Sequence, residues 1–297
     1  MVTLSRRELL TAGLAFTALA SVGGPIAHAQ PGTPVDQRLA ELERQHGAVI
    51  GVFAVDLQSG RTVTHRDTER FAMCSSFKTY AAGRILQKAE RGELALTDTV
   101  VVNAADLLPN SPITETRVGQ TITVAELCAA ALQRSDNLAA NYLLRAIGGP
   151  QAVTDFARSI GDNETRLDRW ETELNSAVPG DLRDTSTPAA LGNGYRDVLT
   201  GAVLGDAGRT QLVDWMTANA TSSLRPGLPP GWVLADKTGS GDYGSTNDVG
   251  VGFGPDGRNI VLSVMIRSAG DDPDAEGFRP IMAEIAGLVM PALSAQG

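Results

Sequence analysis

A chain of 297 residues with 42% hydrophobic side chains is long enough to bury a large core, as one domain or as two packed lobes. Its formal net charge of −9 argues against nucleic acid or an anionic membrane as a partner, since either needs clustered basic residues. The three histidines, His28, His46 and His65, make no zinc-ligand spacing such as H-E-x-x-H, and no G-x-S-x-G elbow is present.

In chain order, Ser5-Arg6-Arg7-Glu8-Leu9-Leu10 starts like a twin-arginine export signal, and an apolar run from Leu9 to Val22 follows. Ala27-His28-Ala29 supplies a peptidase site, so residues 1–29 are expected to be a cleaved signal and the mature protein periplasmic, in the cell envelope or secreted. The run is short of the ~20 residues that span a bilayer, so no stable membrane anchor is expected. Thr33-Pro34-Val35-Asp36 then predicts a helix to about His46. Val49 to Leu57 reads as a buried strand, Gln58-Ser59-Gly60 as a turn and Arg61 to His65 as a returning strand.

The middle of the chain is helical in pattern. Ser75 to Arg91 predicts a helix stopped by Gly92, and Thr123-Val124-Ala125-Glu126 is a capping box opening a helix from Leu127 to Arg134. Thr187-Pro188 starts another, and Gly208 to Ala218 a further one. Arg166 to Asp184 lacks a period and is long for a plain connection, which predicts a functional loop. Near the end, Asp248 to Gly254 and Asn259 to Arg267 read as a hairpin. Phe278, Ile281, Met282, Ile285, Leu288 and Val289 then mark a last amphipathic helix. Strands at both ends with helices between predict an α/β lobe, an antiparallel sheet flanked by terminal helices (residues 30–70 and 220–297), with an all-helical lobe inserted (71–219).

Only Lys78, Lys88 and Lys237 of the 25 basic residues are lysines. Arg cannot give up its proton, whereas Lys can in suitable surroundings, so a lysine kept in an arginine-rich chain is a candidate for proton chemistry. Two of the three fall in motifs. Ser75-Ser76-Phe77-Lys78 sets a hydroxyl and an amine on one face of a helix start, where negative charge is favoured and a depressed lysine can take the serine proton. Taken singly, that pattern is expected about once by chance in such a chain, as a helix cap beside a solvated lysine. Ser135-Asp136-Asn137, where the chain should turn, and Lys237-Thr238-Gly239, at a strand end, each occur by chance in only a few per cent of chains, roughly. All three in this order are far beyond coincidence.

The set resembles the superfamily of class A β-lactamases and penicillin-binding proteins. Arg169-Trp170-Glu171-Thr172-Glu173-Leu174-Asn175, continuing to Arg183-Asp184-Thr185, is similar to the class A omega loop, and the chain resembles extended-spectrum and actinobacterial members. The resemblance implies a two-lobed serine β-lactamase/transpeptidase-like fold, no cofactor, no metal, a small-molecule β-lactam as the partner, and by default a monomer. It implies Ser75 as nucleophile, Lys78 as a proton acceptor, Ser135 as donor to the leaving nitrogen and Glu171 as base for the deacylating water, which Asn175 helps to hold. The base in acylation stays open between Lys78 and Glu171. Asn137 would bond the acylamino group of the substrate, and Lys237 and Thr238 its carboxylate. The backbone N–H groups of Ser75 and Ser240 would form the oxyanion hole. Arg169 and Asp184 would pair across the loop neck.

Several positions depart from the family. Asn110 stands where an aromatic wall is common, and Thr246 where many members carry an arginine. Arg279 could replace that cation, or be a solvated helix arginine. Cys74 and Cys128 suggest a disulfide by parity, but the positions that would pair with them in the family hold Gly241 and Ala82, so both are expected to be reduced and buried. A D,D-peptidase shares the three motifs but lacks the deacylation base, against which Glu171 and Asn175 weigh. A serine glutaminase would not need the K-T-G triplet or an export signal. A β-lactam sensor would trap the acyl group, and such sensors usually carry a membrane segment.

Overall fold

The structure, a computed structural model, describes residues 34–294; the twin-arginine stretch, the expected cleavage site and Thr33 lie outside the described residues. Pro34 opens α1 (Pro34–His46), which turns Leu39 and Leu42 inward. β1 (Ala48–Asp56) follows, and Asp56 shapes the next turn by accepting the N–H groups of Gln58 and Ser59 before β2 (Thr62–His65) returns. The short β3 (Phe71–Ala72) leads into one 3₁₀ turn, Cys74–Phe77, and then α2 (Lys78–Glu90). The helix expected from Ser75 is therefore tight in its first turn, and Cys74 takes a left-handed φ of 46° to enter it.

β4 (Thr99–Val101) pairs with β5 (Thr121–Thr123), and α3 (Val124–Gln133) starts from the capping box, in which Thr123 and Glu126 each satisfy the other's backbone N–H. Two helices follow that periodicity did not reveal, α4 (Asn137–Ile147) and α5 (Pro150–Ser159). Local punctuation does mark them: Asp136 caps α4 by accepting Ala139 N–H, and Gly148-Gly149-Pro150 ends one helix and begins the next. β6 (Thr185–Ser186) pairs with β3, and α6 (Pro188–Thr200), capped by the Thr187 hydroxyl, and α7 (Asp206–Thr217) complete the helical part. β7 (Val233–Ser240), β8 (Thr246–Phe253), β9 (Asn259–Ser268) and α8 (Arg279–Ser294) end the described chain.

The main sheet is antiparallel, in the order β2-β1-β9-β8-β7. β1 and β9 pair along their whole length, from Ala48 opposite Ser268 to Asp56 opposite Ile260, so the two ends of the chain complete one sheet. Strand alternation divides the core. Ile50, Val52 and Ala54 of β1 join Leu262, Val264 and Ile266 of β9 against α1 and α8. Phe53, Val261 and Met265 face the other way, into a larger core shared with α2 to α7. Each fully buried aliphatic side chain of this kind stabilises the fold by roughly 1.5–3 kcal/mol. The two-lobed α/β arrangement expected from the sequence is the observed one, and the end of β7 lies against the 3₁₀ turn that carries Ser75.

Candidate active site

Ser75 is buried in the 3₁₀ turn, and its hydroxyl donates to Glu171 Oε1 at 3.3 Å. The same oxygen lies 3.0 Å from Lys78 Nζ, with both side chains fully buried. The ammonium also donates to Asn137 Oδ1 (2.8 Å) and to the carbonyl and hydroxyl of Ser135 (2.9 and 3.4 Å). Burial holds Lys78 below the ordinary lysine range, with the Glu171 charge working against that shift.

Lys237 is the second buried lysine, donating to Ser135 Oγ (3.1 Å) and to Thr238 O (2.7 Å). Burial, helped by the charge on Lys78, pulls it down to about 7. The Ser135 hydroxyl is thus bracketed by two ammonium groups. The third lysine, Lys88, forms an ordinary surface pair with Glu93 at 2.7 Å.

Glu171 enters from the loop, joined by a cis peptide to Thr172 just before the 3₁₀ turn Glu173–Ser176. Asn175 Nδ2 donates to its Oε2 at 2.6 Å. Asn141, on α4, clasps its backbone from the other side: Asn141 Oδ1 accepts Glu171 N–H (3.0 Å) and Asn141 Nδ2 donates to Glu171 O (2.9 Å). Arg169 and Asp184, which from charge alone read as readily as separate surface groups, do pair, Nε to Oδ2 at 2.6 Å. Asp184 is buried, also accepts the backbone N–H groups of Asp168 and Arg169, and passes its own carbonyl to Met73 N–H at 2.9 Å. The loop neck is therefore fastened both to itself and to the strand leading into Ser75.

Two glycines set the approach of β7. A Cβ on Gly239 would lie 2.5 Å from Met73 O, and one on Gly241 2.5 Å from Asn175 O and 2.7 Å from Cys74 Sγ. Asn247 of β8 adds a tie, donating to the carbonyls of both Ala72 and Met73. Behind Lys237, Asp236 and Asp248 form a buried, hydrogen-bonded carboxyl pair. Asp248 Oδ2 accepts Ser223 and Leu224 N–H, and desolvation with the neighbouring carboxylate raises Asp248 well above the usual range.

These elements enclose a cavity of about 240 Å³ lined by Ser75, Ser135, Asn137, Asn175, Thr238, Gly239, Ser240 and Arg279, with Asn110, Arg134 and Thr221 completing the wall. Lys78, Glu171 and Lys237 sit behind it, so the structure gathers every residue singled out from the motifs around one space. Thr246, where a cation is common in the family, is buried and spends its hydroxyl on Gly244 O and Phe278 N–H. Cys74 and Cys128 are unpaired and buried, and burial pushes both thiols up. Two roomier hollows lie near Asp162 and near Arg84; the Asp162 carboxylate in the first is occupied by Tyr80 and by the N–H groups of Glu164 and Thr165. Among the described residues no group of side chains could hold a metal ion. Asn141, Asn247 and the Asp236–Asp248 pair were missed in the sequence; only Asn141 leaves a trace, four residues beyond Asn137 and so on the same helix face.

The family model described as the β-lactamase enzyme family matches residues 34–290. "Beta-lactamase AST-1" of Nocardia asteroides is 46% identical over 299 residues, covering 97% of this chain and 96% of its own. "Beta-lactamase CTX-M-8" of Citrobacter amalonaticus is 46% identical over 257 residues, 86% of this chain and 88% of its own. Among solved structures, the β-lactamase of Desulfarculus baarsii superposes with a TM-score of 0.85 at 42% identity, covering 88% of this chain and 98% of that one. A reconstructed last common ancestor of Gram-negative class A β-lactamases gives 0.83 at 48% identity, covering 88% and 99%. The chain belongs to the class A β-lactamases, and its activity is hydrolysis of β-lactams.

Proposed function

We propose that Ser75 opens the β-lactam amide of penicillins and cephalosporins through a covalent acyl-enzyme. The observation that carries this is the convergence of Ser75, Lys78 and Asn175 on the single carboxylate of Glu171. Ser75 Oγ attacks the carbonyl carbon, and its proton passes to Lys78 or to Glu171, which meet at one buried ion pair. The carbon–nitrogen bond breaks as Ser135 gives its proton to the ring nitrogen, and the flanking ammonium groups of Lys78 and Lys237 resupply it. The backbone N–H groups of Ser75 and Ser240 stabilise the oxyanion, each by roughly 3–4 kcal/mol.

Asn137 Nδ2 gives one N–H to Pro109 O, leaving the other for the acylamino carbonyl of the substrate. Lys237, Thr238 and Arg279 take the ring carboxylate, and Gly239 lets β7 pass close enough to present them. In deacylation Glu171 removes a proton from water. Asn175 supports that step: its Oδ1 is buried without a protein partner and is free to accept from the same water. A penicillin-binding protein or sensor would stop at the acyl-enzyme. Ser75→Ala should abolish both the mass adduct and hydrolysis of a penicillin; an adduct mapped to another residue would overturn the assignment.

In the same reading the α/β lobe comprises residues 30–70 and 220–297 and the helical lobe 71–219. The chain acts as a monomer without a cofactor and leaves the cell interior through the twin-arginine route. Among the described residues no helix is long and apolar enough to cross a membrane. Replacing Arg6 and Arg7 together by lysine should hold activity in the cytoplasmic fraction; unchanged export would refute that route.

A further inference from the structure

The active-site cavity carries more positive charge than its ring-carboxylate ligand requires. Arg134 and Arg279 both line it, both are exposed, and neither guanidinium has a hydrogen-bond or ion-pair partner among the described residues, whereas most described arginines are paired. No carboxylate lines the same wall, although the chain has a net charge of −9. Glu171, the acid just behind it, is committed to Lys78 and Asn175. Lys237 and Thr238 already face the end of the cavity where the ring carboxylate belongs.

The position of Arg134 is defined by its neighbours. It caps α3 directly before Ser135, whose φ of 55° turns the chain sharply into the site. The preceding carbonyl, of Gln133, accepts Ala220 N–H at 3.0 Å, which seats this corner beside Thr221. The Thr221 hydroxyl in turn meets the Thr238 hydroxyl at 2.5 Å. Arg134 therefore stands on the side of the ring nitrogen and ring carboxylate, on the helical wall, while Arg279 starts α8 beyond Ser240 on the sheet wall.

We infer that Arg134 is a specificity-determining residue that favours β-lactams carrying a second anionic group, a carboxylate or sulfonate, next to the ring carboxylate, as on the C3 substituent of a cephalosporin. The inference rests on the site proposed above. A second anion there adds to an exposed, unpaired guanidinium and displaces no existing ion pair, so the gain is in binding and not in the chemical step.

The test compares two cephalosporins that share the acylamino group and ring carboxylate and differ at C3, one with a carboxylate-bearing group and one with a neutral acetoxymethyl group. Arg134→Gln should raise KM for the dianionic substrate about fivefold relative to the monoanionic one, with kcat unchanged in ratio, the size expected for an exposed ion pair. Arg134→Lys should keep the preference, Arg134→Glu should reverse it, and added salt should erase it in the wild type. Equal scaling of both substrates by Arg134→Gln and Arg134→Glu, at unchanged Tm, overturns the inference. Ser75→Ala run alongside separates the two levels: loss of hydrolysis of both substrates keeps the site, and retained hydrolysis means that the site itself is misplaced.

Discussion

Asn141 has no contact with substrate in this account, yet removing it should slow one half of the reaction. In Asn141→Ala two buried backbone groups of Glu171, its N–H and its carbonyl, lose their partners. Each unsatisfied buried group costs roughly 1–3 kcal/mol, so the loop should lose about 2–6 kcal/mol of its attachment to α4. Glu171 is the proposed general base of deacylation, and a misplacement of about 1 Å in such a group costs about 10²-fold. Acylation should suffer less, because Ser75, Lys78 and Ser135 are held by α2, β7 and the corner before α4 independently of Asn141. Stopped-flow kinetics with a chromogenic cephalosporin should therefore show a burst of one equivalent followed by slow turnover, where the wild type shows none, and urea unfolding should report the lost stability. A variant that is destabilised but shows no burst, with kcat unchanged, would refute the positioning role of Asn141.

Further predictions follow from the charges. In its proposed role Lys237, held at about 7, would bind the substrate carboxylate only when protonated, so kcat/KM should fall as pH rises through about 7; Lys237→Arg, which cannot titrate there, should move that alkaline limb up by more than about 2 pH units. An identical limb in both proteins would exclude Lys237 as its source. The raised value of Asp248 means that the folded protein holds a proton that the unfolded chain has lost, so this group's stabilisation is present below the unfolded value and is lost as pH rises through the folded one. Asp248→Asn should keep the two backbone N–H bonds, cost less than about 1 kcal/mol near neutrality and flatten the alkaline decline in Tm, whereas Asp248→Ala should cost about 2–4 kcal/mol. Arg169→Gln strands the buried Asp184 carboxylate, a loss of roughly 3–5 kcal/mol at the loop neck, and should speed proteolysis between residues 166 and 184; unchanged cleavage there would argue against the clasp.

The sheet was legible because its physics is local. The alternation of Ile50, Val52 and Ala54 with Val49 and Phe53 shows two buried faces, and the matching alternation in β9 made the closing pair foreseeable. Caps that span three residues, Thr123 with Glu126 and Thr187 with Ala190, were equally readable. The turn at Ser135 was foreseeable but its left-handed φ was not, since that backbone on a non-glycine residue is set by the surrounding contacts of Asp136 with Ile113 and Thr114. That is why α4 and α5 were passed over, and with them Asn141. The motif residues themselves were visible as types at spacings. Their mutual geometry depends on contacts across 57 to 102 residues of chain, such as Lys78 with Ser135 and Lys237 with Ser135, which no local pattern encodes.

Intact-mass spectrometry of the wild type and of Glu171→Ala with a penicillin, followed in time alongside ring-opening absorbance, tests the central claim most directly. The account predicts that the wild type returns to its free mass while the substrate is consumed, and that Glu171→Ala accumulates a stoichiometric adduct located on Ser75. Rapid turnover by Glu171→Ala, or an adduct on any other residue, would contradict it.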